Sequence, residues 1–200
     1  MKKWLIILLV AVGIWYWTAQ PAPIKNAGQT VNVIVAFGDS LTEGKGSGGK
    51  QYAYPAVLAE LSGKTVLNMG LSGETAVHAP QRLPEVLAAR PDMVLIEFGA
   101  NDHMRSMSRE NAISAVAQLV DAVQAAGAIA VIVDTGGPGM GPYTDAYKKM
   151  AKEKQAVFVP GIVRGIFHKR EYKSDMIHPN AAGYKIVAQK VYNAIKPYLK

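Results

Sequence analysis

Cysteine is absent from the 200 residues. That absence excludes disulfides, thiolate-zinc sites and a cysteine nucleophile, so any covalent catalysis falls to another side chain. Acidic residues are outnumbered, 15 against 22 Lys and Arg, for a net charge of +7. Several of the lysines lie near the termini (Lys2, Lys3, Lys196, Lys200), and no basic run with interleaved aromatics occurs. Nucleic acid is therefore not the expected partner, and the excess charge reads as solubility and attraction to anionic lipid. Internal repeats, low-complexity tracts and an internal linker are missing too. Half of the residues are apolar, and the length suits one domain with a sizeable core.

The longest apolar run is Trp4 to Trp17, preceded by Lys2 and Lys3 and followed by Thr18-Ala19-Gln20-Pro21-Ala22-Pro23. This is the layout of an export signal. Small residues do not stand where a signal peptidase would need them: Trp17 spoils a cut after Ala19, and Pro23 follows Ala22. The expectation is an uncleaved membrane anchor over residues 1–20, with Trp15-Tyr16-Trp17 at the far interface and the lysine pair held in the cytoplasm. The remainder would be a linker at 21–30 and a domain at 31–200 on the periplasmic or extracellular side. A cleaved signal would leave a secreted periplasmic form instead.

From Val31 the pattern alternates. Apolar, β-branched runs at Val31 to Phe37, Thr65 to Met69, Met93 to Phe98, Ala128 to Asp134 and Ala156 to Val159 read as buried strands. Between them, helical spacing fits Tyr54 to Leu61, Pro84 to Ala89, Ser108 to Ala126, Tyr143 to Glu153 and Ala181 to Leu199. Ile113, Val116, Val120 and Val123 mark the clearest of these helices, with Gly127 as its stop. Alternation with short connections predicts an α/β fold, a parallel sheet of about five strands covered on both faces, with the ligand site beyond the carboxyl ends of the strands.

The residues that follow those strands are chemically capable ones. Ser40 follows the first, Gly73 the second and Asn101-Asp102 the third, while Asp175 and His178 precede the last helix. A serine hydroxyl needs a base to take its proton as it attacks, and His178 is the candidate. Asp175, three residues earlier, can reach the other ring nitrogen to fix the tautomer and stabilise the imidazolium. The resulting oxyanion needs preorganised donors, for which Ser40 N–H, Gly73 N–H and the Asn101 amide are the choices. Asp39 and Asp102 read as supports that hold their loops through bonds to nearby N–H groups.

These residues resemble the GDSL or SGNH hydrolases. Gly38-Asp39-Ser40-Leu41 is similar to the first block of that family, Gly73 within Asn68 to Thr75 to the second, Gly99-Ala100-Asn101-Asp102 to the third, and Asp175-Met176-Ile177-His178-Pro179 to the last. Gly70 is the alternative in the second block if the loop is drawn differently. The likeness spans about Val31 to Lys200 and points to the bacterial lysophospholipase-like, multifunctional thioesterase/esterase branch. It implies a three-layer αβα flavodoxin-like fold, hydrolysis of esters or thioesters through an acyl-serine, and no metal or cofactor. The implied substrate is a small-molecule or lipid ester, with carbohydrate O-acetylesterase as the alternative within the family. Oligomeric state is not implied.

Other readings compete at single motifs. Gly38-Asp39-Ser40 could be a strand-end turn, Asn101-Asp102 an ordinary turn, Asp175 a loop residue capping a turn, and Asn180 the cap of the last helix. Four matches, in order at successive strand ends, favour a catalytic site. Gly44-Lys45-Gly46-Ser47-Gly48-Gly49-Lys50 nearly spells a phosphate-binding loop, but Gln51 stands where the metal-holding hydroxyl should be, so these glycines read as a mobile rim beside the nucleophile, with Gly136 to Gly141 opposite. An α/β-hydrolase elbow is disfavoured because Thr42 replaces its second glycine. A noncatalytic, membrane-tethered binding protein would make the triad needless. His78, His103 and His168 lack metal-ligand spacing and read as surface or loop residues, with His103 a candidate for lining the cleft; Met104 and Met107 either line it too or, as the favoured reading, pack under a loop. Glu97, an acid inside an apolar strand, is either paired near a sheet edge or functional.

Overall fold

The structure is a computed structural model that describes residues 23–200. Its centre is a parallel sheet of five strands: β1 (Val33–Gly38), β2 (Thr65–Gly70), β3 (Met93–Glu97), β4 (Ile129–Val133) and β5 (Val157–Val159). The strand order is β2-β1-β3-β4-β5. Gly38 stands opposite Gly70 on one side and Glu97 on the other, which brings the ends of β1, β2 and β3 level. The chain winds outward in one direction from β1 to β2 and in the other from β3 to β5. The crevice at this reversal, beyond the ends of β1 and β3, is where such sheets place ligands.

Strand residues alternate between two cores. Val35, Phe37, Val94, Ile96, Ala130 and Ile132 face α3 (Leu83–Ala88), α5 (Arg109–Ala125) and α6 (Gly141–Glu153), through Val86, Leu119, Val120 and Tyr147 among others. Ile34, Ala36, Leu95, Ile129, Val131 and Val133 face α2 (Tyr54–Ser62) and α7 (Ala181–Ile195), through Tyr54, Leu58, Tyr184, Val187 and Val191. Two short helices complete the fold at the carboxyl edge, α1 (Ser40–Glu43) and α4 (Ala100–Met104). Both faces of β1, β3 and β4 are covered, so these strands are apolar on both faces rather than alternating, with Glu97 at the end of β3 as the exception.

Two expectations need adjustment. β2, expected to be buried, is an edge strand whose residues are exposed or half-buried. The stretch at 21–30, expected as a linker, is bound to the domain from Lys25 onward. Lys25 N–H donates to Gln155 O, Asn26 Nδ2 to Gln124 O and Ala128 O, and Gln29 Nε2 to Asp92 O and Gly127 O. These contacts lie at the amino ends of the strands, the edge opposite Ser40. The membrane segment expected at 1–20 falls outside the described residues; among those described, no helix is long and apolar enough to cross a membrane.

Candidate active site

The turn after β1 is built by Asp39, which caps α1 by accepting the Leu41 N–H at 2.9 Å. This cap places Ser40 first in the helix with its side chain toward the crevice. Facing it, the segment before α7 carries His178, whose Nε2 lies 3.1 Å from Ser40 Oγ. His178 Nδ1 is 2.7 Å from Asp175 Oδ2, and Asp175 Oδ1 accepts the N–H groups of Ile177 and His178 at 2.8 and 2.7 Å. Burial pushes the Asp175 carboxyl upward, but the His178 and Ile177 hydrogen bonds outweigh it and bring it down to about 2. With Asp175 ionised, Nδ1 carries the ring proton and Nε2 is the acceptor for Ser40 Oγ–H.

The segment that carries His178 is clamped at both ends. Ser174 N–H donates to His178 O, Asn180 N–H to Tyr172 O, and Asn180 Oδ1 caps α7 through Gly183 N–H at 3.1 Å. His178 is thus buried at its flanks with its ring aimed at Ser40.

The donors named for an oxyanion differ in their readiness. Among the described residues, neither the Ser40 N–H nor the Gly73 N–H is engaged by a protein acceptor. Gly73 has φ +81, a left-handed conformation that suits glycine, and Arg105 Nη2 donates to its carbonyl at 2.7 Å. Gly70, the alternative, is packed against the Thr42–Glu43 backbone, where a Cβ would collide, and its N–H donates to Asn68 Oδ1. Asn101 is buried, and its Nδ2 donates to both Asp39 Oδ2 at 3.0 Å and Glu74 O at 2.9 Å. A bond from this amide to an oxyanion must be shared with one of those acceptors. Asp102 accepts the Ala76 and Val77 N–H groups, which holds the Gly73 loop over α4.

Beneath the nucleophile lies a group whose role was undecided in the sequence. Glu97 is fully buried and accepts from Thr42 Oγ1 at 3.0 Å, and Thr42 also meets Tyr54 OH at 3.2 Å. Its other carboxyl oxygen, Oε1, is buried with no hydrogen-bond partner among the described residues. Desolvation, reinforced by the Asp39 charge, pushes Glu97 well above the ordinary carboxylate range. The signal in the sequence was an acid inside an apolar strand. Thr42 and Tyr54, its polar neighbours, gave no such signal.

Ser40 and His178 open onto a cavity of about 500 Å³. Leu41, Met104, Pro138, Met140, Val163, Phe167 and Ile177 give it an apolar lining, interrupted by His103, Ser106 and Thr135. Met104 is more than half exposed on its rim rather than packed under a loop, and Met107 lines a neighbouring hollow with Tyr143. Gly137 reaches the cavity, but Gly44 to Lys50 do not: they line a separate hollow with Glu43 and Ser72.

The model of the GDSL-like lipase/acylhydrolase family matches residues 36–186. An arylesterase of Vibrio mimicus is 27% identical over 189 residues, 88% of this chain and 94% of its own. The thioesterase 1/protease 1/lysophospholipase L1 of Escherichia coli K12 is 28% identical over 176 residues, 83% of this chain and 84% of its own. A crystal structure of TesA superposes with a TM-score of 0.78 at 25% identity, covering 84% of this chain and all of that one.

Proposed function

The chain belongs to the GDSL-like lipase/acylhydrolase family and is a carboxylic ester hydrolase, and on that premise we propose that it works through an acyl-serine formed on Ser40. The observation that carries this reading is the hydrogen-bond chain Asp175–His178–Ser40 at the mouth of an apolar cavity. Ser40 Oγ attacks the ester carbonyl as its proton passes to His178 Nε2, and the carbonyl oxygen becomes an oxyanion. The free N–H groups of Ser40 and Gly73 receive that charge, with Asn101 Nδ2 sharing one of its present bonds. Collapse releases the alcohol or thiol, which takes the proton from His178. Water then attacks the acyl-serine with His178 again as base, releasing the acid and restoring Ser40. No step requires a cofactor.

The substrate we propose is an ester or thioester with an apolar acyl group, which the cavity lining would take out of water at about 0.8 kcal/mol for each buried methylene. The lysine pair, the apolar run and the absence of a good cleavage site support an anchor at the N-terminus, with the domain outside the cytoplasm. The described chain enters the domain at the edge opposite the cavity, which would leave the mouth facing away from the bilayer. Mass spectrometry of the membrane fraction tests the anchor: Lys2 and Lys3 should remain on the mature chain.

Mutation tests the chemistry. Ser40→Ala and His178→Ala should each lower turnover of a p-nitrophenyl ester on the order of 10⁴-fold with the fold intact. Asn101→Ala should cost about 10²-fold, mainly in kcat. Fluorophosphonate should label the wild type and not Ser40→Ala. Wild-type turnover in either triad variant would remove Ser40 or His178 from the mechanism.

A further inference from the structure

Gly73 N–H belongs to the middle peptide of a tight turn. Glu74 N–H donates to Leu71 O at 3.1 Å, closing the turn over Leu71–Glu74 with Ser72 and Gly73 at its centre. A φ of +81 at Gly73, with Ser72 outside the left-handed region, is the signature of a type II turn. A type I turn has the same ends and the same closing bond, but its middle peptide is turned over, so the Gly73 N–H would point the other way. The closing bond does not choose between them, and glycine, with no Cβ, is open to both signs of φ. Whatever holds the two flanks of the Ser72–Gly73 peptide therefore aims the donor. Those flanks are held by side chains of opposite charge. On one, Glu43 Oε2 accepts the Ser72 N–H at 2.9 Å and also meets Ser72 Oγ. On the other, Arg105 Nη2 donates to Gly73 O at 2.7 Å.

We propose that Glu43 and Arg105 are positioning residues for the reaction, a two-sided clamp that keeps the Ser72–Gly73 peptide in the orientation from which its N–H serves the oxyanion. Neither touches the reacting atoms. Glu43 is the last residue of α1, the helix that opens with Ser40, and Arg105 directly follows α4, the helix that carries Asn101. Each thus ties the turn to an element that supplies another part of the site, so that groups drawn from three strand ends keep one spacing. Glu43 is exposed, but its backbone is pressed against Gly70 and its carbonyl accepts Asn68 Nδ2 at 3.3 Å, so its carboxyl group projects from a fixed point. Beyond the clamp, Asn101 Nδ2 holds the next carbonyl, Glu74 O. Loss of Glu43 would leave the Ser72 N–H to water, and loss of Arg105 would do the same to Gly73 O. Either frees the middle peptide to turn over. The cost falls on the transition state, because the donor is needed most when charge develops on the carbonyl oxygen.

The clamp rests on Ser40 as nucleophile and on the Gly73 N–H as a donor, and its failure is distinguishable from that of the nucleophile. Gln at position 43 keeps an oxygen that accepts from Ser72, whereas Ala offers none. Steady-state kinetics of the full chain on a p-nitrophenyl ester should show Glu43→Ala and Arg105→Ala each lowered about five- to tenfold in kcat, with KM within about twofold of wild type. Glu43→Gln should restore kcat to within about twofold. Both side chains are exposed, so thermal unfolding of the variants should stay close to that of the wild type. Wild-type kcat in either alanine variant would overturn the clamp, and so would a loss confined to KM. A loss in Glu43→Gln as large as in Glu43→Ala would overturn it too, by showing that the charge and not the hold on Ser72 matters. Failure of the nucleophile assignment would appear separately, as undiminished turnover and fluorophosphonate labelling in Ser40→Ala.

Discussion

Asp39 and Asp175 sit on either side of the same serine and are pushed in opposite directions. Burial raises Asp39 from 3.8 to about 6, opposed by the Leu41 N–H, the neighbouring Glu97 side chain and the His178 ring, and aided by the Asp102 charge. The folded state therefore binds more protons than the unfolded one between those values. The stabilising contribution of Asp39 is complete below about 3.8 and is lost as pH rises through about 6. Asp175 behaves oppositely: its contribution is present above 3.8 and is lost as pH falls toward about 2. The two windows do not overlap, so a single variant separates them. Wild-type stability should decline between pH 4 and 7 by roughly 1–3 kcal/mol more than that of Asp39→Asn, in which the buried Glu97 still contributes a decline of its own. Thermal unfolding across that range checks it, and an equal decline in both proteins would mean that Asp39 is not the source.

Elements matter here chiefly through their ends. Five of the site residues, Asp39, Ser40, Gly73, Asn101 and Asp102, follow strand termini, where the chain leaves the sheet and its polar groups need new partners, so side chains and backbone at these turns are already committed to one another. Asn180 shows the consequence for His178. It caps α7 through Gly183 N–H and reaches back with Nδ2 to Glu171 O, closing the segment that presents the histidine. Asn180→Ala should lower the free energy of unfolding by about 1 kcal/mol, and Asp, which keeps the cap, should recover most of it. Urea denaturation measures both, and an unchanged midpoint in the alanine variant would show that the cap is idle. The cap was legible in the sequence because Asn stands just before an apolar run with helical spacing. The second donor, to Glu171, was not legible, because nothing in local sequence says that residues 171 and 180 face each other.

At the scale of the molecule, one cavity lies between segments far apart in sequence: the α1 turn, α4, the loop after β4 and the stretch that precedes α7. Its apolar lining of about 500 Å³ predicts a preference for acyl chains longer than acetyl. A series of p-nitrophenyl esters from acetate to palmitate, run beside acetylated sugars and an acyl-CoA, measures this. Rising kcat/KM with chain length before a plateau is the expected result, whereas highest activity on acetylated sugars would favour the O-acetylesterase reading instead.

Sequence by itself determined the alternation of strand and helix, the parallel sheet that follows from it, and the places where reactive residues leave the strands. Those are local matters: periodicity, β-branched runs, turn residues and caps act over a few positions, and the chain carries them in order. The sheet order, the exposure of β2 and the partners of Glu97 were decided only by tertiary structure. Which strand lies at an edge depends on where each crossover lands, and whether an acid in an apolar strand is paired, charged or neutral depends on atoms brought beside it from elsewhere in the chain. Asn101 illustrates the difference most directly: its place after the third strand is written in the sequence, but the two acceptors that already hold its amide are a property of the folded site alone.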